Sequence, residues 1–151
     1  MAFPLPEPMR RALDAAAEAA RAGEVPVGAV VMSGNRLVAT AANRMRSGLD
    51  PTAHAEIVAI RTAAAALGRA RLDGCDLWVT LEPCAMCAAA IGLARIARLY
   101  FAAPDPKSGA VLHGPRIYAQ PTCHHAPEVF AGIGEGEASA LLQRFFQERR
   151  A

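Results

Sequence analysis

The stretch DPTAHAEIVAIRTAAAALG places an imidazole and a carboxylate, His54 and Glu56, at the start of an otherwise apolar segment. Neither side chain is needed to bury that segment, and a carboxylate beside a core costs free energy unless something compensates it. About thirty residues downstream, the stretch LWVTLEPCAMCAAAI adds two thiols, Cys84 and Cys87, in a Cys-x-x-Cys arrangement. One imidazole and two thiolates form a nitrogen and sulfur donor set that suits Zn²⁺.

The number of ligands predicts what kind of zinc site this is. Three protein ligands leave the fourth tetrahedral position for water, which is the pattern of a catalytic site, whereas a fourth side chain closes a structural site. A carboxylate near that water can take its proton and later donate it to a leaving group, so we predict that Glu56 is the general acid and base. The side chains that could close the site instead are Cys75, Cys123, His113, His124 and His125.

The pair of cysteines has a second interpretation when it is taken alone. A Cys-x-x-Cys pair at the N-terminus of a helix that follows a strand is also typical of thioredoxin-like oxidoreductases. His54 favours zinc, because it too is predicted to open a helix. Two helix N-termini that converge on one point lower the pKa of neighbouring thiols and favour the metal-binding thiolate form.

The elements that must position these residues are predicted from hydrophobic periodicity and from turn residues. Helices are predicted over residues 8–23, 53–67 with Gly68 as its stop, and 137–150; a further helix begins after Pro83. A hairpin turns at residues 33–35, and DLWVTL and ARLYFAA are predicted as the third and fourth strands. Residues 104–126 are predicted as functional loop with at most a short strand. Strands that alternate with helices predict a layered α/β domain in which helices flank a mixed sheet.

Length and composition indicate one ordinary globular domain over residues 1–151. No apolar run is long enough to cross a membrane without charge, and the N-terminal region lacks the pattern of a signal peptide, so we expect a cytoplasmic protein. The net charge of +2 does not by itself indicate a nucleic-acid partner. Fifteen of the sixteen basic residues are Arg, which reflects either phosphate binding or codon bias.

The residues HAE and PCAMC together form the H-x-E…P-C-x-x-C signature, and the chain resembles the zinc-dependent nucleobase deaminases that carry it. The resemblance to the bacterial tRNA-specific adenosine deaminase family runs from about residue 24 to residue 150, through EVPVGAVV, RIARLYFAA, DPKSGA and LLQRFFQERR. It implies a three-layer α/β/α cytidine-deaminase-like fold and a homodimer. It also implies one Zn²⁺ per subunit, bound by His54, Cys84 and Cys87, with Glu56 as the proton shuttle.

The same resemblance implies a substrate and the residues that bind it. The substrate would be adenosine at the wobble position in the anticodon of an arginine tRNA, which is converted to inosine with release of ammonia. The residues that this resemblance assigns to the nucleoside are Asn43, Val25 and the backbone N–H of Ala55. Those assigned to the anticodon stem-loop are Asp105, Lys107, Ser108, Phe146 and Arg149. One departure from the family pattern is CHHAPEV, where Asn-His is more familiar than His124-His125.

Two alternatives to this function remain at the level of sequence. The zinc signature does not exclude a deaminase of a free base or nucleoside, such as guanine or cytosine. The segments RFFQERR and DPKSGA favour RNA, because an enzyme for small molecules needs no basic aromatic helix beside its pocket. A non-catalytic RNA-binding subunit of the same fold would be expected to lack the shuttle carboxylate, and Glu56 is present.

Overall fold

The computed structural model describes residues 4–150, so residues 1–3 and 151 of the predicted domain lie outside the described chain. Within that range the chain forms four α-helices, five β-strands and a short 3₁₀ turn at residues 117–119. In chain order the elements are α1 (Glu7–Arg21), β1 (Gly28–Ser33), β2 (Arg36–Ala42), α2 (Ala55–Leu67), β3 (Cys75–Leu81), α3 (Ala85–Leu93), β4 (Arg98–Ala103), β5 (Glu128–Ala131) and α4 (Glu135–Arg150).

The five strands form one mixed sheet in the order β2-β1-β3-β4-β5. The hairpin partner β2 and the central strand β3 both pair with β1 in the antiparallel sense. Strands β3, β4 and β5 are mutually parallel, and each parallel step is made through a crossover connection, as parallel pairing requires. The expectation of a mixed sheet is therefore confirmed.

Helices cover both faces of this sheet and bury a separate core on each side. Residues of α2 and α3, such as Ala59 and Ile91, pack with Val31 and Leu77 on one face. On the other face Met9 and Leu13 of α1 and Ala138 of α4 pack against Val30, Trp78 and Ala102. Successive strand residues point to opposite faces, so Val30 and Val31 enter different cores. The predicted three-layer α/β/α fold is confirmed.

The sheet places the two cysteines and the long loop at one edge. Leu81 is the last residue of β3 and pairs with Ala103, the last residue of β4. The chain therefore leaves both strands on the same side of the sheet, at the carboxyl ends of the parallel strands. The first exit, residues 82–84, leads into α3 and its cysteines, whereas the second begins the loop that carries Asp105. This is where ligands bind in open α/β sheets.

The element boundaries differ from the sequence predictions by one to two residues, except for one missed strand. Helix α1 begins at Glu7, α2 begins at Ala55 with His54 as its N-cap, and α4 begins at Glu135. The prediction omitted β5, whose four residues are mostly exposed at the edge of the sheet and show no alternation of apolar and polar side chains. Among the described residues, no helix has the length and apolar character that crossing a membrane requires.

Candidate active site

The three predicted metal ligands come from two helix N-termini. His54 is the N-cap of α2 and Cys84 is the N-cap of α3, and both have extended backbone conformations. Neither side chain caps its own helix, so both are free to point outward from the helix start. Cys87 lies in the first turn of α3 and is completely buried. The structure therefore brings together residues that the sequence separates by thirty positions.

The distances between the donor atoms fit a tetrahedral zinc site. Nδ1 of His54 lies 3.6 Å from Sγ of Cys84 and 3.4 Å from Sγ of Cys87. Bond lengths of about 2.3 Å for Zn–S and about 2.0 Å for Zn–N, at tetrahedral angles, separate the sulfur and nitrogen atoms by roughly 3.5 Å. All three donor atoms lie within 4.8 Å of one another. The donor set and its spacing thus fit one Zn²⁺ ion.

The two thiols of the cluster differ in pKa. Hydrogen bonding from the Cys87 thiol, assisted by His54, lowers the pKa of Cys84 to about 4. The neighbouring Cys84 sulfur and burial both raise the pKa of Cys87. Without a cation only one of the two sulfurs therefore ionises easily. A divalent cation between the two sulfurs lets both of them ionise, because its positive charge stabilises both thiolates.

Glu56 lies beside this cluster in an unusual position for a carboxylate. It is the second residue of α2, it is only 4% exposed, and it lines the same pocket as His54 and Cys84. Burial raises the pKa of Glu56 to about 7. Within a regular helix, residues two positions apart point to nearly opposite sides. His54 lies before the first helical residue and has an extended backbone, so this rule does not separate its side chain from that of Glu56. A carboxylate whose pKa is close to neutrality can both accept and donate a proton at physiological pH.

Four of the five residues that could have closed the metal site are engaged elsewhere, and the fifth, His124, is exposed beside a different pocket. Nδ1 of His113 lies 2.7 Å from Oε1 of Glu82, and Nε2 of His125 lies 2.7 Å from the carbonyl oxygen of Ile96. The Cys123 thiol donates to the carbonyl oxygen of His125, and Cys75 is buried at the start of β3. Among residues 4–150, the one group of at least three potential ligand side chains is His54, Cys84 and Cys87.

A pocket of about 180 Å³ opens directly onto His54, Glu56 and Cys84. A cavity of about 150 Å³ is enough to hold benzene, so this pocket has room for one flat ring system. Its walls are mostly apolar, with a few polar groups that could orient a ligand, as is typical of small-molecule sites. Its other lining residues are Val25, Val27, Asn43, Met45, Ala55, Leu81, Glu82, Asp105 and Ser108.

Five of the eight residues assigned to the substrate by resemblance line this pocket: Val25, Asn43, Ala55, Asp105 and Ser108. Asn43 is only 6% exposed, and its Oδ1 atom has no hydrogen-bond partner within residues 4–150. An unpaired buried amide costs free energy, and a ligand in the pocket could provide the missing partner. Ala55 is the first residue of α2, so its N–H has no partner within the helix.

The other three assigned residues lie outside the pocket. Lys107 is exposed on the loop after β4, and Phe146 and Arg149 are exposed on α4. The two neighbouring phenylalanines of α4, Phe145 and Phe146, differ in exposure. Phe145 is 6% exposed and belongs to the interior, whereas Phe146 is 45% exposed. The guanidinium of Arg149 lies 3.8 Å from the centroid of the Phe145 ring.

Two buried glutamates hold the loops on either side of the pocket, and the sequence interpretation assigned a role to neither. The carboxylate of Glu24 accepts the N–H groups of Arg46, at 3.1 Å, and Ser47, at 2.7 Å. Burial alone would raise the pKa of Glu24, but these hydrogen bonds outweigh it, and the pKa lies below its ordinary value. The Arg46 guanidinium in turn donates to the carbonyl oxygen of Gly23 at 3.2 Å.

Glu82 is the second of these carboxylates, and its side chain is completely inaccessible to solvent. Burial opposes its charge, but hydrogen bonds from Asp105, His113, Leu112 and Val111 outweigh that effect and lower its pKa. The signal that could have revealed it is its place in LEPC, where a carboxylate follows a buried strand and directly precedes a proline and a metal ligand.

Comparison with known proteins agrees with this geometry. The model of the cytidine and deoxycytidylate deaminase zinc-binding region matches residues 6–103. The chain therefore belongs to this family of zinc-dependent deaminases. It is 55% identical to the tRNA-specific adenosine deaminase of Agrobacterium fabrum over 142 residues, which is 94% of this chain and 93% of that protein. With the corresponding protein of Bacillus subtilis it shares 39% identity over 94% of this chain and 88% of that one.

Solved structures show the same relationship. A structure from a study of A-to-I editing by tRNA:A34 deaminases at the wobble position of transfer RNA has a TM-score of 0.88. It is 55% identical in sequence, and the match covers 89% of this chain and 98% of that one. A guanine deaminase from Nitrosomonas europaea is more distant, with a TM-score of 0.79 and 25% identity over 96% of this chain and 86% of that chain. Within the family, this chain groups with the tRNA-specific adenosine deaminases.

Proposed function

We propose that the protein is a hydrolytic adenosine deaminase that converts adenosine to inosine at the wobble position in the anticodon of an arginine tRNA. The observation that carries this proposal is the single pocket onto which His54, Glu56 and Cys84 open, lined by the unpaired Asn43 amide. The relatives named above support adenosine in tRNA as the substrate. The choice of an arginine tRNA rests on the family resemblance of the sequence.

The reaction replaces the C6–N6 bond of adenosine with a C6–O bond and releases ammonia. When bound by His54, Cys84 and Cys87, a zinc ion supplies a Lewis acid that makes water a better nucleophile at neutral pH. Glu56 accepts the proton that the attacking water loses and delivers it to the purine ring nitrogen. The same carboxylate then carries a second proton to the departing amine. Its raised pKa suits both steps, since each requires a group that changes its charge near neutrality.

The pocket residues would orient the purine against these groups. The side-chain amide of Asn43 lies in the wall of the pocket and lacks a partner for Oδ1 among the described residues, so it can bond to the nucleoside. The N–H of Ala55 at the start of α2 can donate to the base, and Val25 offers an apolar wall. A site that discriminates by such hydrogen bonds rejects bases that leave its polar groups unpaired.

Polar and basic side chains around the pocket support RNA as the substrate rather than a free base. Asp105 and Ser108 line the opening, and Lys107 between them is exposed. Arg46 follows the lining residue Met45 and donates to the carbonyl oxygen of Gly23, and a Cβ atom added at Gly23 would lie 3.9 Å from the guanidinium of Arg149. Guanidinium groups suit the phosphates of the anticodon strand, and exposed aromatic residues such as Phe146 stack on unpaired bases.

We further propose a homodimer of single-domain subunits in the cytoplasm, where a tRNA substrate would be found. The face of α3 that is opposite to the sheet supports the dimer, because Leu93 is 79% exposed there beside a groove of about 340 Å³. Exposed apolar surface of this kind marks interaction sites. Light scattering tests this directly: Leu93→Glu should shift a dimer toward monomer, whereas Leu37→Glu on β2 should not. A monomeric parent protein would refute it.

The proposed activity is tested with anticodon stem-loops that carry adenosine at the wobble position. The protein is incubated with the arginine stem-loop, with stem-loops of other tRNAs, and with free adenine, guanine and cytosine. We expect inosine in the arginine stem-loop, no turnover of the free bases, and an affinity that falls steeply with salt because phosphates are contacted. Rapid deamination of guanine, with the stem-loop unchanged, would support the competing assignment as a free-base deaminase and refute the proposal.

A further inference from the structure

The loop after β4 is wrapped around one buried carboxylate, that of Glu82. Oε2 of Glu82 accepts the backbone N–H groups of Val111 at 3.1 Å, Leu112 at 2.9 Å and His113 at 3.2 Å. Oε1 accepts the N–H of Asp105 at 3.0 Å and lies 2.7 Å from the imidazole of His113. Four backbone donors and one ring nitrogen therefore converge on a side chain that solvent does not reach.

The backbone of the loop lies so close to this carboxylate that one position requires glycine. A Cβ atom at Gly109 would lie 2.5 Å from Cδ of Glu82 and 2.5 Å from the carbonyl oxygen of Asp105. The next residue, Ala110, donates its N–H to the carbonyl oxygen of Pro83 at 2.9 Å. The loop is thus held against the turn between β3 and α3, immediately before the predicted metal ligand Cys84.

The contacts continue from Glu82 to the mouth of the pocket through Asp105. Its backbone is held by Glu82, and its own carboxylate accepts the N–H groups of Lys107 at 3.2 Å and Ser108 at 3.0 Å. Asp105 and Ser108 line the pocket, and Lys107 is exposed between them. The position of these three residues therefore depends on a carboxylate whose side chain solvent does not reach.

We infer that Glu82 is a positioning residue, which acts through Asp105 to hold the loop of residues 104–113 in the shape that receives substrate. A carboxylate suits this task because it only accepts hydrogen bonds, whereas every backbone group that faces it is a donor. Glutamine has nearly the same shape but replaces one acceptor oxygen with an amino group. In Glu82→Gln the new amino group must face either the N–H of Asp105 or the three N–H groups of residues 111–113. Either arrangement places donors against each other and loses hydrogen bonds of the parent protein.

The sequence provides a specific probe of this loop, because Lys107 is the single lysine of the chain. A protease that cleaves only after lysine can therefore cut the native protein at one place, between Lys107 and Ser108. Cleavage of a folded protein requires local opening, so its rate reports the stability of this loop without any assay of activity. Glu82→Gln and Gly109→Ala disturb the same contact from opposite sides, so either one can test it alone if the other is poorly folded.

We expect both variants to bind zinc at the parent stoichiometry and to be cleaved on the order of tenfold faster, as loss of a buried hydrogen bond predicts. The matched control is Gly136→Ala in α4, where an added Cβ meets no atom within 4 Å. It should be cleaved at the parent rate. Parent rates in both Glu82→Gln and Gly109→Ala would overturn the inference.

A kinetic measurement separates positioning from a merely structural role, and this part of the inference rests on the proposed function. With the anticodon stem-loop as substrate, Glu82→Gln should raise KM by about tenfold and change kcat much less, because the reacting groups are retained. Faster cleavage with an unchanged KM would show that the loop is anchored but does not position substrate, and would refute the inference. A parent protein that leaves the stem-loop unmodified would refute the proposed function, while the cleavage result would still test the anchoring.

Discussion

Sγ of Cys84 lies 3.6 Å from Nδ1 of His54, although the two residues are the N-caps of different helices, α3 and α2. The contact exists because α3 follows directly after the carboxyl end of β3, and α2 packs against both of these elements. Two positive helix ends meet there and favour the thiolate form of Cys84, and a thiolate is a ligand that binds a divalent cation such as Zn²⁺. The metal site therefore depends on the packing of two helices rather than on a single motif.

Loss of one thiolate should remove the metal and destabilise the fold together. In Cys87→Ala we expect less than one-tenth of the parent zinc content by elemental analysis and a lower Tm, because metal binding contributes to folded-state stability. Cys123→Ala is the control, since its thiol contacts the carbonyl oxygen of His125 and lies outside the cluster. It should keep its zinc. Retention of full zinc by Cys87→Ala would contradict the ligand assignment.

Glu56→Gln should separate metal binding from turnover. The amide keeps the size of the side chain but cannot accept and return a proton, so kcat should fall by roughly 10²–10⁴-fold. Zinc content should remain at the parent value, because the three donor atoms belong to other residues. Glu128→Gln, an exposed site on β5, should leave both quantities unchanged. Inosine formation near the parent rate in Glu56→Gln would show that another group moves the proton.

The neighbouring phenylalanines of α4 should behave in opposite ways. Phe145→Ala removes a buried ring against which the Arg149 guanidinium stacks. The substitution should therefore lower the free energy of unfolding by about 3–5 kcal/mol. Phe146→Ala should leave the Tm nearly unchanged and weaken stem-loop binding by about 1–3 kcal/mol, the range for loss of a base-stacking ring. Denaturant unfolding and direct binding measure the two effects. Equal stem-loop affinity of Phe146→Ala and the parent would remove Phe146 from the RNA surface.

Glu24 should contribute stability that disappears at acidic pH. Its pKa in the folded protein lies below the ordinary value of 4.5, so its contribution is fully present above that value and is lost as pH falls through the lower folded pKa. Glu24→Gln lacks this contribution, and we expect it to be less stable than the parent by about 1–3 kcal/mol at neutral pH.

Urea unfolding midpoints of the parent and Glu24→Gln measure this difference between about pH 6 and about pH 3. The difference should stay constant down to about pH 5 and then shrink as the parent carboxylate is protonated. Glu18→Gln, at an exposed position on α1, is the matched control and should follow the parent throughout. A difference that stays constant to the lowest pH would show that the charge of Glu24 does not stabilise the fold.

Much of the fold and of the metal cluster follows from local signals in the sequence. Gly68 ends α2 in the left-handed conformation that glycine favours, and Pro83 marks the start of α3 one residue before Cys84. The mostly apolar run DLWVTL predicts the central strand β3, because most of its residues are buried. The short edge strand β5 lacks such a signal, since it depends on pairing with β4 and on the stacking of Phe130 against Tyr100.

The roles of the buried carboxylates could not be obtained in the same way. Glu24 and Glu82 are held by backbone groups more than twenty residues away, and nothing in their own neighbourhoods specifies those partners. The exposure of Phe146 rather than Phe145 likewise depends on how α4 packs on α1 and the sheet. Such features arise from long-range packing, which periodicity in a single sequence does not encode.

The most direct measurement of the central claim is a zinc titration with inosine formation as the readout. The metal is removed with a chelator, zinc is returned in steps, and bound zinc and inosine in the arginine stem-loop are measured in each sample. We predict that the rate rises in proportion to bound zinc and levels at one ion per chain. Full activity in the metal-free protein, or a fully loaded protein that leaves the wobble adenosine intact, would contradict the account.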